Sequence, residues 1–167
     1  WYNGVYTYLK RVSAFAVVPG SITGAMPPLI GWTAAGGHLF DLPAVILAFV
    51  FFMGQIPHFW LLIMQYEQDY QKAKLPVLTN IFEEPQIKRL TFLWITAALI
   101  SSLFLPAFSI ITSLIFSVLL IAVVIILIFY FKNLLFGKLP NQYPKKYFVI
   151  LNMYYLIVML ILIFNRK

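Results

Sequence analysis

The sequence predicts an all-α, polytopic transmembrane helix bundle of about five spans. Three observations predict it. Hydrophobic residues make up 62% of the chain and charged residues only 10%, whereas soluble domains carry about 25% charged residues. Apolar stretches long enough to cross a bilayer recur along the chain, and lipid offers backbone polar groups no partner, so such stretches must be helical. The basic residues gather in alternate connections between those stretches.

Length predicts one transmembrane domain over 1–167, and a mean hydropathy of +0.90 excludes the water-soluble classes. The absence of cysteine excludes disulfides and thiolate metal sites. Trp1 stands where a start methionine would, and the opening WYNGVYTYLKR has no signal-peptide pattern. The chain therefore reads as a C-terminal part of a longer protein.

The spans are expected at 13–35, 42–64, 90–105, 108–131 and 148–164. Pro19, Gly20, Gly24, Pro27, Pro28 and Gly31 interrupt the first, so a straight helix is not expected there; Gly20 and Gly24 have the small-xxx-small spacing of close helix packing. The second ends in a polar, charged loop over 65–89. The third and fourth are separated only by Leu105, Pro106, Ala107 and Phe108, read as a tight turn between antiparallel helices. Spans three to five carry little polar chemistry beyond Ser, Thr and Asn and read as scaffold.

Ten of the twelve basic residues share one side: Lys10, Arg11, Lys72, Lys74, Lys88, Arg89, Lys132, Lys138, Lys145 and Lys146. The opposite connections, around Gly36–Gly37–His38 and 105–108, have none, and Arg166 and Lys167 fall against the pattern. The positive-inside rule makes the charged side cytoplasmic, so the net charge of +7 marks topology and calls for no nucleic acid. Four of the five acids, Glu67, Asp69, Glu83 and Glu84, lie in the 65–89 loop, where soluble substrates arrive.

At 100° per residue, Gln55, His58, Gln65, Tyr66 and Asp69 share one face if the second helix continues past the membrane, while Glu67 points elsewhere. Such a stripe belongs against a cavity or the bundle interior, because exposing it to lipid is expensive. Two readings of it stand. His58 and Gln55 serve as interhelical packing bonds, with Pro57 freeing a carbonyl that His58 can satisfy, and Asp69 is a solvated loop residue; or the stripe leads into a reaction cavity.

Several segments occur in order along roughly the first 80 residues: Tyr6-Thr7-Tyr8-Leu9-Lys10-Arg11, Gly24-Ala25-Met26-Pro27-Pro28-Leu29-Ile30-Gly31-Trp32, Gln55-Ile56-Pro57-His58-Phe59-Trp60, Asp69-Tyr70 and Leu75-Pro76-Val77-Leu78. The set resembles the protohaem IX farnesyltransferase (haem O synthase) branch of the UbiA superfamily of intramembrane prenyltransferases. The resemblance implies the second half of a nine-helix bundle in a bacterial inner membrane. It also implies transfer of farnesyl from farnesyl diphosphate to a vinyl group of protohaem IX, with water adding a hydroxyl to give haem O.

By the same resemblance, the second acidic motif maps onto Tyr66–Tyr70. Asp69 is then the carboxylate on the Mg²⁺ side, with Tyr66 and Tyr70 beside it in the catalytic segment. Lys10 and Arg11 fall at the diphosphate-binding basic position, with Lys72 a further candidate, while His58 and Gln55 line the cavity. The first acidic motif would lie upstream of Trp1, which makes the missing N-terminal half a required partner. Two departures stand out: the family commonly has Trp at the place of Gly54, which is expected to alter the cavity lining, and Gly at the place of Lys74, which is expected to be harmless. A prenyltransferase of aromatic quinone precursors, a transporter or channel half whose broken first span lines a path, and a structural membrane subunit remain as alternatives.

Overall fold

The computed structural model describes residues 2–136 and 143–165; Lys138, Arg166 and Lys167 of the charge pattern lie outside them. Among the described residues there is no strand. Five helical stretches are long and apolar enough to cross a membrane: Ala14–Ala34, Leu42–Gln65, Glu84–Ala107, Leu114–Phe136 and Lys145–Phe164. The protein is thus an integral membrane helix bundle, as its composition predicts.

The first span is broken, as its prolines and glycines require. A π-helical turn Tyr2–Tyr6 runs into α1 (Thr7–Val12), and Ser13 is extended at φ −143° and ψ 136°. The Ser13 hydroxyl accepts a bond from the Phe15 N–H at 3.1 Å, which starts a 3₁₀ turn, Ala14–Ala16. Then come α2 (Val17–Gly20) and α3 (Ile22–Ala34). Ser21 between them donates its hydroxyl to the Val17 carbonyl at 2.7 Å, so a polar group in the break is satisfied inside the chain.

The second span is α4 (Leu42–Gln65), opened by Asp41 and Pro43. It packs against the first, third and fifth spans and is the central helix of the bundle. Its two sides feed two cores. Ile46, Val50 and Leu61 join Leu99, Leu120 and Tyr154, whereas Ile56 and Trp60 join Val17, Leu78 and Ile87. Each fully buried Leu or Ile contributes about 1.5–3 kcal/mol in water, but in lipid the gain comes from close packing instead.

Three sequence expectations are corrected. First, α4 does not continue through the stripe: Tyr66 leaves helical geometry at φ −109° and ψ 26°, and the chain restarts as α5 (Glu67–Lys72). Tyr66 and Asp69 therefore do not extend the face of Gln55 and His58. Second, the third helix, α6 (Glu84–Ser101), begins six residues before 90. Pro85 suits its first turn, Gln86 Oε1 accepts from the Glu83 N–H at 2.9 Å, and Lys88 pairs with Glu84 at 2.6 Å.

Third, 105–108 is not the turn. A short α7 (Phe104–Ala107) extends the third span, and the chain reverses over 108–113 before α8 (Leu114–Phe131). Ser109 takes the left-handed conformation at φ 58°. The Leu105 carbonyl accepts from Ile110 and Ile111, while Asn165 Oδ1 accepts from the Thr112 and Ser113 N–H groups at 3.2 and 3.1 Å. Those bonds satisfy a helix start that hydropathy alone cannot locate. A short α9 (Asn133–Phe136) and α10 (Tyr143–Phe164) complete the chain. The fourth span has the highest mean hydropathy, 3.2, and only 17% of its residues are buried, so it is the helix most given over to lipid.

Candidate active site

Cavity-lining chemistry starts on α4. Gln55 and His58 lie three residues apart, on one face of the helix. That face meets α10, and the two helices enclose a cavity of about 160 Å³ lined by Phe51, Gly54, Gln55, His58, Asn152 and Tyr155 among others. A neighbouring cavity of about 470 Å³ shares Phe51, Gln55 and Met159 and is closed on its far side by Thr23, Gly24, Pro27 and Pro28 of α3. Its size lies in the range of small-molecule sites, and the broken first span supplies its outer wall.

Two glycines shape these walls. A Cβ on Gly24 would lie 2.8 Å from Gln55 Oε1, so the glycine lets that side chain take its present position between α3 and α4. A Cβ on Gly54 would lie 2.1 Å from the ring and hydroxyl of Tyr155. At Gly54 an aromatic ring from α10 therefore fills the space that a side chain would take.

Two polar side chains of this wall have a partner on another helix. His58 Nδ1 lies 3.0 Å from Asn152 Oδ1, and the imidazole is 4.7 Å from the Phe148 ring. The Tyr155 hydroxyl donates to the Val50 carbonyl at 3.4 Å. The carbonyl freed by Pro57 is not what His58 bonds. Nor is the fifth span mere scaffold: Asn152, Tyr155 and Met159 stand at i, i+3 and i+7 on α10 and form the wall opposite α4. That spacing is visible in the sequence, but a single Asn among apolar residues does not reveal which helix it faces.

The charged segment after α4 is built differently. Asp69 and Lys72 lie on α5, both largely exposed, 3.8 Å apart. Such a pair is worth less than about 1 kcal/mol and yields easily to another partner. Tyr66 is exposed at the helix break and Tyr70 is half-buried; among the described residues neither hydroxyl has a hydrogen-bond partner. Glu67 does point elsewhere: it accepts from Gln71 Nε2 at 2.9 Å and from the Thr79 hydroxyl, tying α5 to the 3₁₀ turn Leu78–Asn80. That makes Glu67 a structural acid.

Lys74 is not a neutral departure. It sits at φ 54°, just past α5, where its N–H bonds the Gln71 carbonyl and the Leu75 N–H bonds the Tyr70 carbonyl, both at 3.0 Å. This is a Schellman cap, whose left-handed position favours glycine. A lysine there costs about 1 kcal/mol.

Lys10 and Arg11 end α1; Lys10 Nζ lies 5.9 Å from the centre of the Tyr6 ring, which itself packs on Gly20. Among the described residues no hydrogen bond or ion pair joins Lys10 or Arg11 to Asp69 or Lys72. Nor do any three His, Asp or Glu groups there form a metal cluster. Asp69 offers a single exposed carboxylate, a hard oxygen donor of the kind that divalent cations take.

The model of the UbiA prenyltransferase family matches residues 1–163. This chain belongs to the UbiA prenyltransferase family. Among curated proteins it is 43% identical over 113 residues to a protoheme IX farnesyltransferase of Geobacter sulfurreducens, covering 65% of this chain and 40% of that one. It is 40% identical over 107 residues to one of Nitratidesulfovibrio vulgaris, covering 64% and 37%. A third, from Coxiella burnetii, is 46% identical over 80 residues, covering 47% and 26%. In each case the aligned part spans well under half of the relative's length. No solved structure matches.

Proposed function

We propose that this UbiA-family chain contributes the C-terminal part of a prenyltransferase that joins farnesyl, from farnesyl diphosphate, to a vinyl group of protohaem IX to give haem O. The observation that carries the reading is the pair of adjoining cavities that share Phe51, Gln55 and Met159, the smaller also lined by His58, on the helix whose charged end leads into Asp69. Membership of the family and the names of the relatives support the substrate class.

Asp69 holds one face of a Mg²⁺ ion in this reading, and Lys10, Arg11 and Lys72 bind oxygens of the diphosphate. When bound, the metal neutralises charge on the leaving diphosphate. The C–O bond to farnesyl breaks, both electrons leave with the diphosphate, and the allylic cation is taken up by the vinyl carbon. Water captures the resulting cation and loses a proton, which places the hydroxyl. Tyr66 and Tyr70 flank the ionising end, and aromatic faces stabilise a nearby cation. The apolar walls from Phe51, Met159 and the proline-rich α3 limit premature capture by water. The charged loops lie on the cytoplasmic face, and the partner that completes the site is the N-terminal half with the first acidic motif.

The test is haem O formation from haem and farnesyl diphosphate in membranes carrying this chain, with and without its upstream coding sequence. Product is expected only when an upstream half bearing Asn-x-x-x-Asp-x-x-x-Asp is present. An upstream half without that motif, or no product from the complete protein, removes the proposal.

A further inference from the structure

Asn152 has no part in the reaction above, yet its amide is oriented from both sides. Its Nδ2 donates to the Phe148 carbonyl at 2.7 Å, and a carbonyl oxygen can only accept. Oδ1 is therefore the atom 3.0 Å from His58 Nδ1, and it too can only accept. The proton must then sit on Nδ1. In the neutral imidazole the electron pair is left on Nε2.

Nε2 has no hydrogen-bond partner among the described residues, and it is absent from the polar atoms that are both buried and unpartnered. It therefore has open space beside it, where His58 lines the cavity with Gln55 and Tyr155. The Phe148 and Phe59 rings, at 4.7 and 5.6 Å between centres, hold the imidazole from two sides. An amide in this place fixes the tautomer without the charge that a carboxylate would bring into the membrane.

We infer that Asn152 is a positioning residue, which commits His58 to the tautomer that presents the Nε2 electron pair to the cavity. The group that Nε2 meets is an electron-pair acceptor: an open coordination position of a metalloporphyrin, or a hydrogen-bond donor of the ligand. The tautomer stands on geometry alone; naming a metalloporphyrin rests on the proposed function.

The chain has only two histidines, so ¹⁵N-histidine labelling gives two imidazoles, and His38→Gln identifies His58. With the full chain in lipid nanodiscs, His58 is expected to show a protonated Nδ1 and a bare Nε2. Asn152→Ala should give a mixture of tautomers, and Asn152→Asp should restore the Nδ1 proton. A wild-type proton on Nε2 overturns the inference, and so does a tautomer pattern unchanged in Asn152→Ala. Should the alanine variant not fold, the wild-type and Asn152→Asp spectra still decide the first point. Haemin and metal-free protoporphyrin IX are the second probes. If the acceptor is the metal, Asn152→Ala weakens haemin binding about tenfold and leaves the metal-free porphyrin unaffected. If haemin binding is indifferent to residue 152 while the tautomer follows it, the positioning role holds and the metalloporphyrin is excluded as the acceptor.

Discussion

The polar side chains of α4 and those of α5 are held by opposite means. At membrane depth, Gln55 and His58 lean on fixed neighbours: Gly24 makes room for one, and Asn152 bonds the other. Past Tyr66, Asp69 and Lys72 have only each other as side-chain partners among the described residues, at 3.8 Å and largely in solvent. Lipid explains the contrast. A polar group inside it must find a protein partner or pay desolvation of several kcal/mol, while one at the surface is satisfied by water and stays free to bind. The cavity end is thus preorganised within this chain, and the charged end stays free to meet a ligand.

The comparison predicts unequal responses to mutation. The largest is at the exposed end. Asp69→Asn in the complete enzyme should lower haem O formation by about 100-fold or more, the scale of losing one electrostatic stabiliser, while membrane insertion and thermal stability stay at wild-type values. Glu67→Gln, two residues away, should instead loosen the α5 anchor to Thr79 and leave measurable turnover. Equal losses from both would show that the loop acts as a unit and that Asp69 has no special place.

The buried end should respond in stability. Gly54→Ala drives a methyl into the Tyr155 ring and should cost about 1–3 kcal/mol, read as thermal aggregation in detergent. Tyr155→Leu should relieve most of that cost, since the pair shares one space. If the double variant is no better than Gly54→Ala, the two residues do not fill the cavity wall jointly.

These two regions also differ in how far the sequence discloses them. Hydropathy and basic residues sufficed for the five spans, and the prolines and glycines for the break in the first, because those signals are local. The α10 wall was not legible: Asn152 and Tyr155 gain their meaning from what α4 places opposite them, and no alternation or spacing encodes that pairing. The turn at 108–113 escaped for a similar reason, since Asn165, more than 50 residues away, caps it. The break at Tyr66 is equally silent, because nothing in Gln65-Tyr66-Glu67 forbids a helix.

A smaller effect is expected at the cap of α5. Lys74→Gly should stabilise the chain by up to about 1 kcal/mol by removing the left-handed lysine, with the unfolded-state entropy of glycine offsetting part of the gain. Hydrogen exchange at the Leu75 amide is the direct measure, and unchanged exchange would mean that the cap carries no strain.

The smallest effect belongs to the other end of α4, where the chain leaves the membrane on the face without lysine or arginine. Asp41 Oδ2 accepts from the Trp32 indole at 2.8 Å and from the His38 backbone N–H at 2.8 Å, and these bonds, the indole's first, hold its carboxyl below the ordinary carboxylate range. A depressed carboxylate stabilises the folded loop at every pH above its unfolded value of about 3.9, and that contribution is lost as pH falls through the lower folded value. Trp32 reports on it, because protonation releases the indole. Its fluorescence should therefore stay constant from neutral pH down to about 4 and change only below. In Asp41→Asn the acid transition should vanish. A transition that persists unchanged in Asp41→Asn would mean that the carboxylate is not what holds this loop.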